Sequence, residues 1–245
     1  MVSFTESGGN PVVHANLDAD AYVLDLSPDG KYLLVARPGP EGEELYRTLL
    51  DGKSGAQAIT RGEFDAIHQA RFSSDGRKVV VVGSFASSTY FGEAPIGGEL
   101  DLYEGEVYAA DYLADGRLAV IGEVEDGEPD AGRTYVGTFA NGEVTEIADL
   151  PAPVQSMDAG GDMVVASCIV GGDESGLADL YRLRISETTA SRVTDGSVTL
   201  LDPHFGAGGT LFAIQDGVGL VQVDGTGSVT TRVESADLIG LIAIR

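Results

Sequence analysis

Five times along this chain a glycine turn separates a large apolar residue from a short apolar run. The clearest copy is DLSPDGKYLLVA, residues 25–36, and its second occurrence is FSSDGRKVVVV, residues 72–82. YLADGRLAVIG, MDAGGDMVVAS and FGAGGTLFAIQ follow, centred on Asp115, Gly160 and Gly208. Taking Asp29, Asp75, Asp115, Gly160 and Gly208 as equivalent points, glycine always comes next: Gly30, Gly76, Gly116, Gly161 and Gly209. Three residues before each point stands Leu26, Phe72, Tyr112, Met157 or Phe205. A self-similar period of about 45 residues is the mark of a repeat architecture, and it restricts the fold more than any composition statistic can.

Each copy reads as a hairpin. Glycine supplies the left-handed conformation that reverses the chain, and β-branched residues dominate the strand that follows. Before the turn apolar and polar residues alternate, as where Leu24 and Leu26 flank Asp25, or Ala110 and Tyr112 flank Asp111. That alternation predicts a half-buried strand, and the continuous apolar run after the turn predicts a strand covered on both faces. Two weaker strands complete the unit, best seen where TYFGEAPIGGELDLYEG (89–105) parallels TYVGTFANGEVTEIADL (134–150). No segment sustains a 3.6-residue apolar period, so a helical solenoid is excluded. Four strands per period predict an all-β chain of propeller blades.

LSPDGKYLLVA resembles the turn motif of the TolB-type propeller repeats, and FSSDGRKVVVV is similar to it. The resemblance covers nearly the whole chain and implies four-stranded blades about a central channel, in a single domain over residues 1–245. It specifies fold alone, because such propellers carry many functions. The N-terminal stretch VSFTESGGNPVVHANL resembles outer blade strands, and the C-terminal DLIGLIAIR resembles an inner one. Joined, they predict a sixth, composite blade that removes exposed sheet edges. The alternative is five blades, with the chain ends adding strands to them.

Asp and Glu outnumber Lys and Arg by 39 to 15, and Lys31, Lys53 and Lys78 are the only lysines. This acidic, lysine-poor composition, spread along the chain, resembles that of proteins from extreme halophiles. Carboxylates hold water and hydrated cations, and concentrated salt screens their repulsion. Nucleic acid is excluded as an expected partner, since phosphate binding needs clustered Lys and Arg. No apolar run is long enough to span a membrane. The sequence shows no secretory signal, which predicts a cytoplasmic protein or one incorporated into a larger particle. The single cysteine, Cys168 in MVVASCIVG, reads as a small buried hydrophobe.

Candidate chemistry is sparse. His68 and His204 fall on predicted innermost strands, where with Asp202 they form a candidate channel-mouth binding site; His14 falls on an outer strand. Inner-strand His and carboxylates of this kind would suit a lyase- or lactonase-like enzyme or small-molecule binder. No H-x-H, H-E-x-x-H, C-x-x-C or G-x-S-x-G pattern is present. In EVEDGEPDAG (123–132), Asp126, Glu128 and Asp130 alternate as calcium ligands do. The expected sixth-position glycine is Ala131, however, and the twelfth-position glutamate is Gly137. Calcium is therefore a secondary possibility, and no cofactor is predicted. The leading expectation is a non-catalytic propeller that meets a protein partner through its loop faces. The loops singled out are 37–44, 84–98, 123–133 and 171–178, and a structural part of a virion or surface array is a special case.

Overall fold

The computed structural model describes residues 2–3, 12–13, 17, 20–50, 56–125, 132–151, 153–170 and 177–234. Among these residues it is all-β apart from one 3-10 turn at Ala207–Gly209. No helix among the described residues is long and apolar enough to cross a membrane.

Among the described residues, strands β1 (Val2–Ser3) and β2 (Val12–Val13) pair with each other. Five four-stranded sheets follow, their strands ordered as in the chain. The first holds β3 (Tyr22–Leu26), β4 (Tyr32–Pro38), β5 (Glu43–Leu49) and β6 (Gln57–Ala58). The second holds β7 (Ala66–Phe72), β8 (Lys78–Phe85), β9 (Ser88–Pro95) and β10 (Asp101–Glu104). The third holds β11 (Val107–Tyr112), β12 (Leu118–Glu125), β13 (Gly132–Ala140) and β14 (Glu143–Asp149). The fourth holds β15 (Val154–Gly160), β16 (Met163–Val170), β17 (Leu177–Arg184) and β18 (Ser191–Arg192). The fifth holds β19 (Leu200–Phe205), β20 (Leu211–Gln215), β21 (Gly219–Val223) and β22 (Val229–Glu234).

These are five blades, not six. The expected sixth, composite blade is absent among the described residues, where β1 and β2 form a two-stranded sheet of their own. The C-terminal strand expected within 237–245 and His14 lie outside the described residues.

The glycine turns close as the sequence predicts. Gly30, Gly76, Gly116, Gly161 and Gly209 all have φ between 66° and 84°. In the first two turns the hydroxyl of Ser27 or Ser73 bonds Asp29 or Asp75, at 2.7 and 2.8 Å. Turn length differs between copies, though. Asp25 opposes Leu34 and Leu26 opposes Leu33, whereas Asp158 opposes Val165 and Ala159 opposes Val164. Asp158 rather than Ser156 is therefore the counterpart of Asp25, two residues from the register that the glycines suggest.

Two compact units divide the chain, one ending at Tyr112 and the other beginning at Leu113, with a few N-terminal residues assigned to each. In the first, the core between neighbouring blades is built from Leu34, Leu45, Phe64, Ile67, Phe72 and Val81. The second has the matching arrangement in Val165, Leu180, Leu200, Leu211, Val221 and Val223. The second strand of a blade is buried almost throughout, as the continuous apolar runs require: Val79 to Val82 on β8 have no exposed surface.

Candidate functional site

The polar residues that sequence reading singles out, Asp25, His68, Asp111, Asp202 and His204, lie on the first strands of four blades, and four first strands bear a β-bulge. The register shifts between Val23 and Asp25, Ile67 and Gln69, Val154 and Ser156, and Leu201 and His204. A bulge re-aims side chains and frees backbone groups, so each of these strands must satisfy its polar atoms beyond its own ladder.

In the first unit the partner is the neighbouring blade. Asp25 is buried, its Oδ2 accepting the Phe72 amide at 2.7 Å while Oδ1 accepts the Leu26 amide at 2.7 Å. Arg71 returns the contact, donating from Nη1 to the Leu24 carbonyl at 2.7 Å. Gln69 Oε1 accepts the Ala110 amide at 3.0 Å, which carries the pattern from β7 to β11. The polar half of the predicted alternation thus faces the next blade's backbone instead of water. Nearer the start of these strands, Glu43 Oε2 accepts the Ile67 amide at 2.6 Å and lies 2.5 Å from the Tyr22 hydroxyl. Partial burial first, and then the Glu43 carboxylate, push the Tyr22 phenol well above its ordinary range.

The second unit repeats the device between β15 and β19. Asp158 Oδ2 accepts the Phe205 amide at 2.8 Å, and its Oδ1 is 2.9 Å from His204 Nδ1. Ser156 Oγ accepts the Asp202 amide at 3.1 Å. Asp202, directly before Pro203, has φ 44°, a left-handed conformation that a residue before proline rarely adopts.

The sequence-predicted residues therefore have different settings. His68 is the exposed bulge residue of β7 in the first unit. Asp202 and His204 belong to the second, where Asp202 is half-buried and His204 is buried beside Asp158. Among the described residues no three His, Cys, Asp or Glu side chains gather as metal ligands would. Asp126, Glu128 and Asp130 lie outside the described residues, as do 171–176 of the second acidic loop. Cys168 is fully buried, and burial followed by the nearby Asp179 carboxylate pushes its thiol up to about 12.

One constellation escaped the sequence reading, although its signal was there in AITRG (58–62) and RVTDG (192–196). Thr60 Oγ1 accepts the Leu45 amide at 2.7 Å, and Thr194 Oγ1 accepts the Leu180 amide at 3.0 Å. In the later copy Thr194 and the Gly196 amide both donate to Asp179, at 2.8 and 2.7 Å, and Arg192 forms an ion pair with it. Two equivalent threonines thus fix the end of one blade where the chain leaves for the next.

No family model and no curated protein matches this sequence. Solved structures do. The β-propeller domain of the Trilobed protease from Pyrococcus furiosus matches with a TM-score of 0.68 at 16% identity, over 88% of this chain and 70% of that one. TolB from Acinetobacter baumannii matches with a TM-score of 0.64 at 15% identity, over 90% of this chain and 55% of that one. An acylaminoacyl peptidase from Pyrococcus horikoshii gives 0.63 at 16%, over 88% of this chain. Only 39% of that peptidase is spanned. With its repeated turns, four-stranded sheets and blade-to-blade contacts, this chain has the fold of the β-propellers of TolB and the peptidases.

Proposed function

We propose that this chain is a non-catalytic propeller that serves as a protein-interaction or structural module in a larger assembly working in concentrated salt. One observation carries the reading: the polar side chains of the first strands bind the backbone of the neighbouring blade. Asp25, Gln69, Arg71, Ser156 and Asp158 all make such bonds, and His204 bonds Asp158. Groups used this way rigidify a scaffold and preorganise its loops for binding. The similar propeller from Pyrococcus furiosus is by its name one domain of a protease, which accords with a module that serves a larger whole.

The test is purification of the tagged chain from its native host in molar potassium chloride, followed by mass determination of the complex. A stoichiometric heteromeric complex is expected. A lone chain that turns over ester or lactone substrates, and loses that turnover on His68→Ala or Asp202→Asn substitution, would replace this reading with the enzyme one.

A further inference from the structure

The hairpin tip between β8 and β9 combines strain, support and an exposed aromatic ring. Ala86 and Ser87 form its two-residue loop with φ of 49° and 73°. Such loops favour Asn and Gly, because both positions need positive φ. The strained loop is braced from outside: Asp65 Oδ2 accepts the Ala86 amide at 2.8 Å, and the Asp65 amide donates to the Ser84 carbonyl at 2.7 Å. The brace is itself anchored, since neighbouring Phe64 is fully buried and its carbonyl accepts the Glu43 amide at 2.8 Å. What this arrangement displays is Phe85, 46% exposed, the most exposed large hydrophobic side chain among the described residues.

Tyr22, 38% exposed, lies at the same end of the first unit, its hydroxyl held by Glu43 and by the Ile67 carbonyl at 2.9 Å. Around these rings the strand ends and loops carry Asp20, Glu41, Glu43, Glu44, Glu63 and Asp65. The basic residues there are Arg61 and Arg37, and Arg37 is already bonded to Glu44 at 3.0 Å.

We infer that this end of the first unit is a docking surface for a protein segment presenting an apolar side chain between lysines or arginines, with Phe85 as the anchor. The inference rests on the interaction-module reading and names its surface and partner chemistry. An aromatic at the strand end beside a braced loop is ordered before it binds, so association loses less freedom there. Rings of this kind are frequent hot spots. The carboxylate rim supplies complementarity to a basic flank, speeds encounter and disfavours nucleic acid and anionic lipid.

The probe is a dye-labelled hexapeptide with a Leu-Phe centre and two basic residues on each side, titrated by fluorescence anisotropy across a salt series. Peptides with a Ser-Ser centre or with glutamate flanks serve as comparisons. Wild-type protein should bind the first peptide best, and Phe85→Ser should weaken it about tenfold, the loss of one moderate hot spot. Phe85→Tyr should retain binding, as should Val144→Ser, which alters an exposed apolar residue of the other unit. No binding by the wild type, or equal binding by Phe85→Ser, overturns the surface. A native complex that survives Phe85→Ser also overturns it and leaves the module reading standing. A chain that stays alone in its host yet binds the peptide through Phe85 overturns the module reading and keeps the surface.

Discussion

Asp158 and His204 stand on the first strands of neighbouring blades with Oδ1 and Nδ1 2.9 Å apart, and the other Asp158 oxygen holds the Phe205 amide at 2.8 Å. One carboxylate thus ties a side chain and a main chain of the next strand. In the first unit Asp25 holds the main chain of the next blade at Phe72 and, through its other oxygen, the amide of its own neighbour Leu26. Both acceptors are buried, so their worth is set by what is left unsatisfied when they are removed.

Asp25→Ala leaves the Leu26 and Phe72 amides without this acceptor and should cost about 3 kcal/mol, at the upper end for a lost buried hydrogen-bond partner. Asp25→Asn keeps one carbonyl oxygen and should cost about 1 kcal/mol. Guanidinium unfolding in matched high salt checks both through the transition midpoint at unchanged slope. Equal, small effects for the two variants would mean that the clamp contributes little.

Backbone conformation gives a second ordering. Gly30 has φ 69° and open space where a Cβ would stand, so Gly30→Ala carries only the left-handed penalty, about 1 kcal/mol. Gly42 has φ 147°, and a Cβ there would stand 2.2 Å from the Phe64 carbonyl oxygen. Gly42→Ala should therefore cost more than Gly30→Ala, because loop 38–43 must leave loop 62–64. Ala86→Gly runs the other way and should stabilise by up to about 1 kcal/mol, relieving φ 49°. Thermal midpoints of the three variants test the order; a Gly42→Ala protein as stable as Gly30→Ala would contradict it.

The hairpins were legible because a turn needing positive φ and a strand buried on both faces leave strong marks, glycine and an unbroken apolar run. Turn length leaves none. Glycine marks the reversal in MDAGGDMVVAS but not that the pairing of β15 is displaced by two residues from that of β3, so the Asp25–Asp158 equivalence appears only in the strand register. Burial of Asp25 and Asp111 was unreadable for a different reason. A polar residue between apolar ones predicts a wet face, whereas Asp25 is buried against the next blade's Phe72 amide and Asp111 accepts the amide of its own neighbour Tyr112. His204 stands on the strand Leu200–Phe205, but nothing in the sequence reveals that Asp158 lies beside it. The threonines of AITRG and RVTDG could have been found as a second repeat.

Acid should weaken the turns in a defined direction. Hydrogen bonds from Ser27, then from Lys31, hold the Asp29 carboxyl at about 2, below its ordinary 3.8. Asp75, Asp115, Asp195 and Asp224 are lowered as well, led by bonds from Arg77, Arg117, Ser197 and Thr226. A carboxyl whose folded value is depressed adds stability above its unfolded value, and that stability is lost as pH falls through the folded one. The thermal midpoint should therefore drop as pH falls from about 4 toward about 2. Ser27→Ala, which removes the leading cause at Asp29, should make the drop shallower. An unchanged acid limb in that variant would assign the acid sensitivity to other groups.

Salt should act oppositely to its effect on a protein held by surface ion pairs. Lys31, Arg37, Lys78, Arg117, Arg133 and Arg184 already pair with carboxylates. The formal charge nevertheless remains −24, so repulsion among the excess carboxylates outweighs what those exposed pairs contribute. Screening shortens from about 10 Å at 0.1 M to about 3 Å at 1 M, weakening repulsion more than contact pairs. The thermal midpoint should climb steeply as potassium chloride rises through that range. It should climb less in a variant with Glu99→Gln, Asp101→Asn and Glu104→Gln, which removes three exposed charges on and just before β10. A midpoint indifferent to salt in the wild type, or a slope untouched by the triple substitution, would show that carboxylate repulsion does not set this protein's stability.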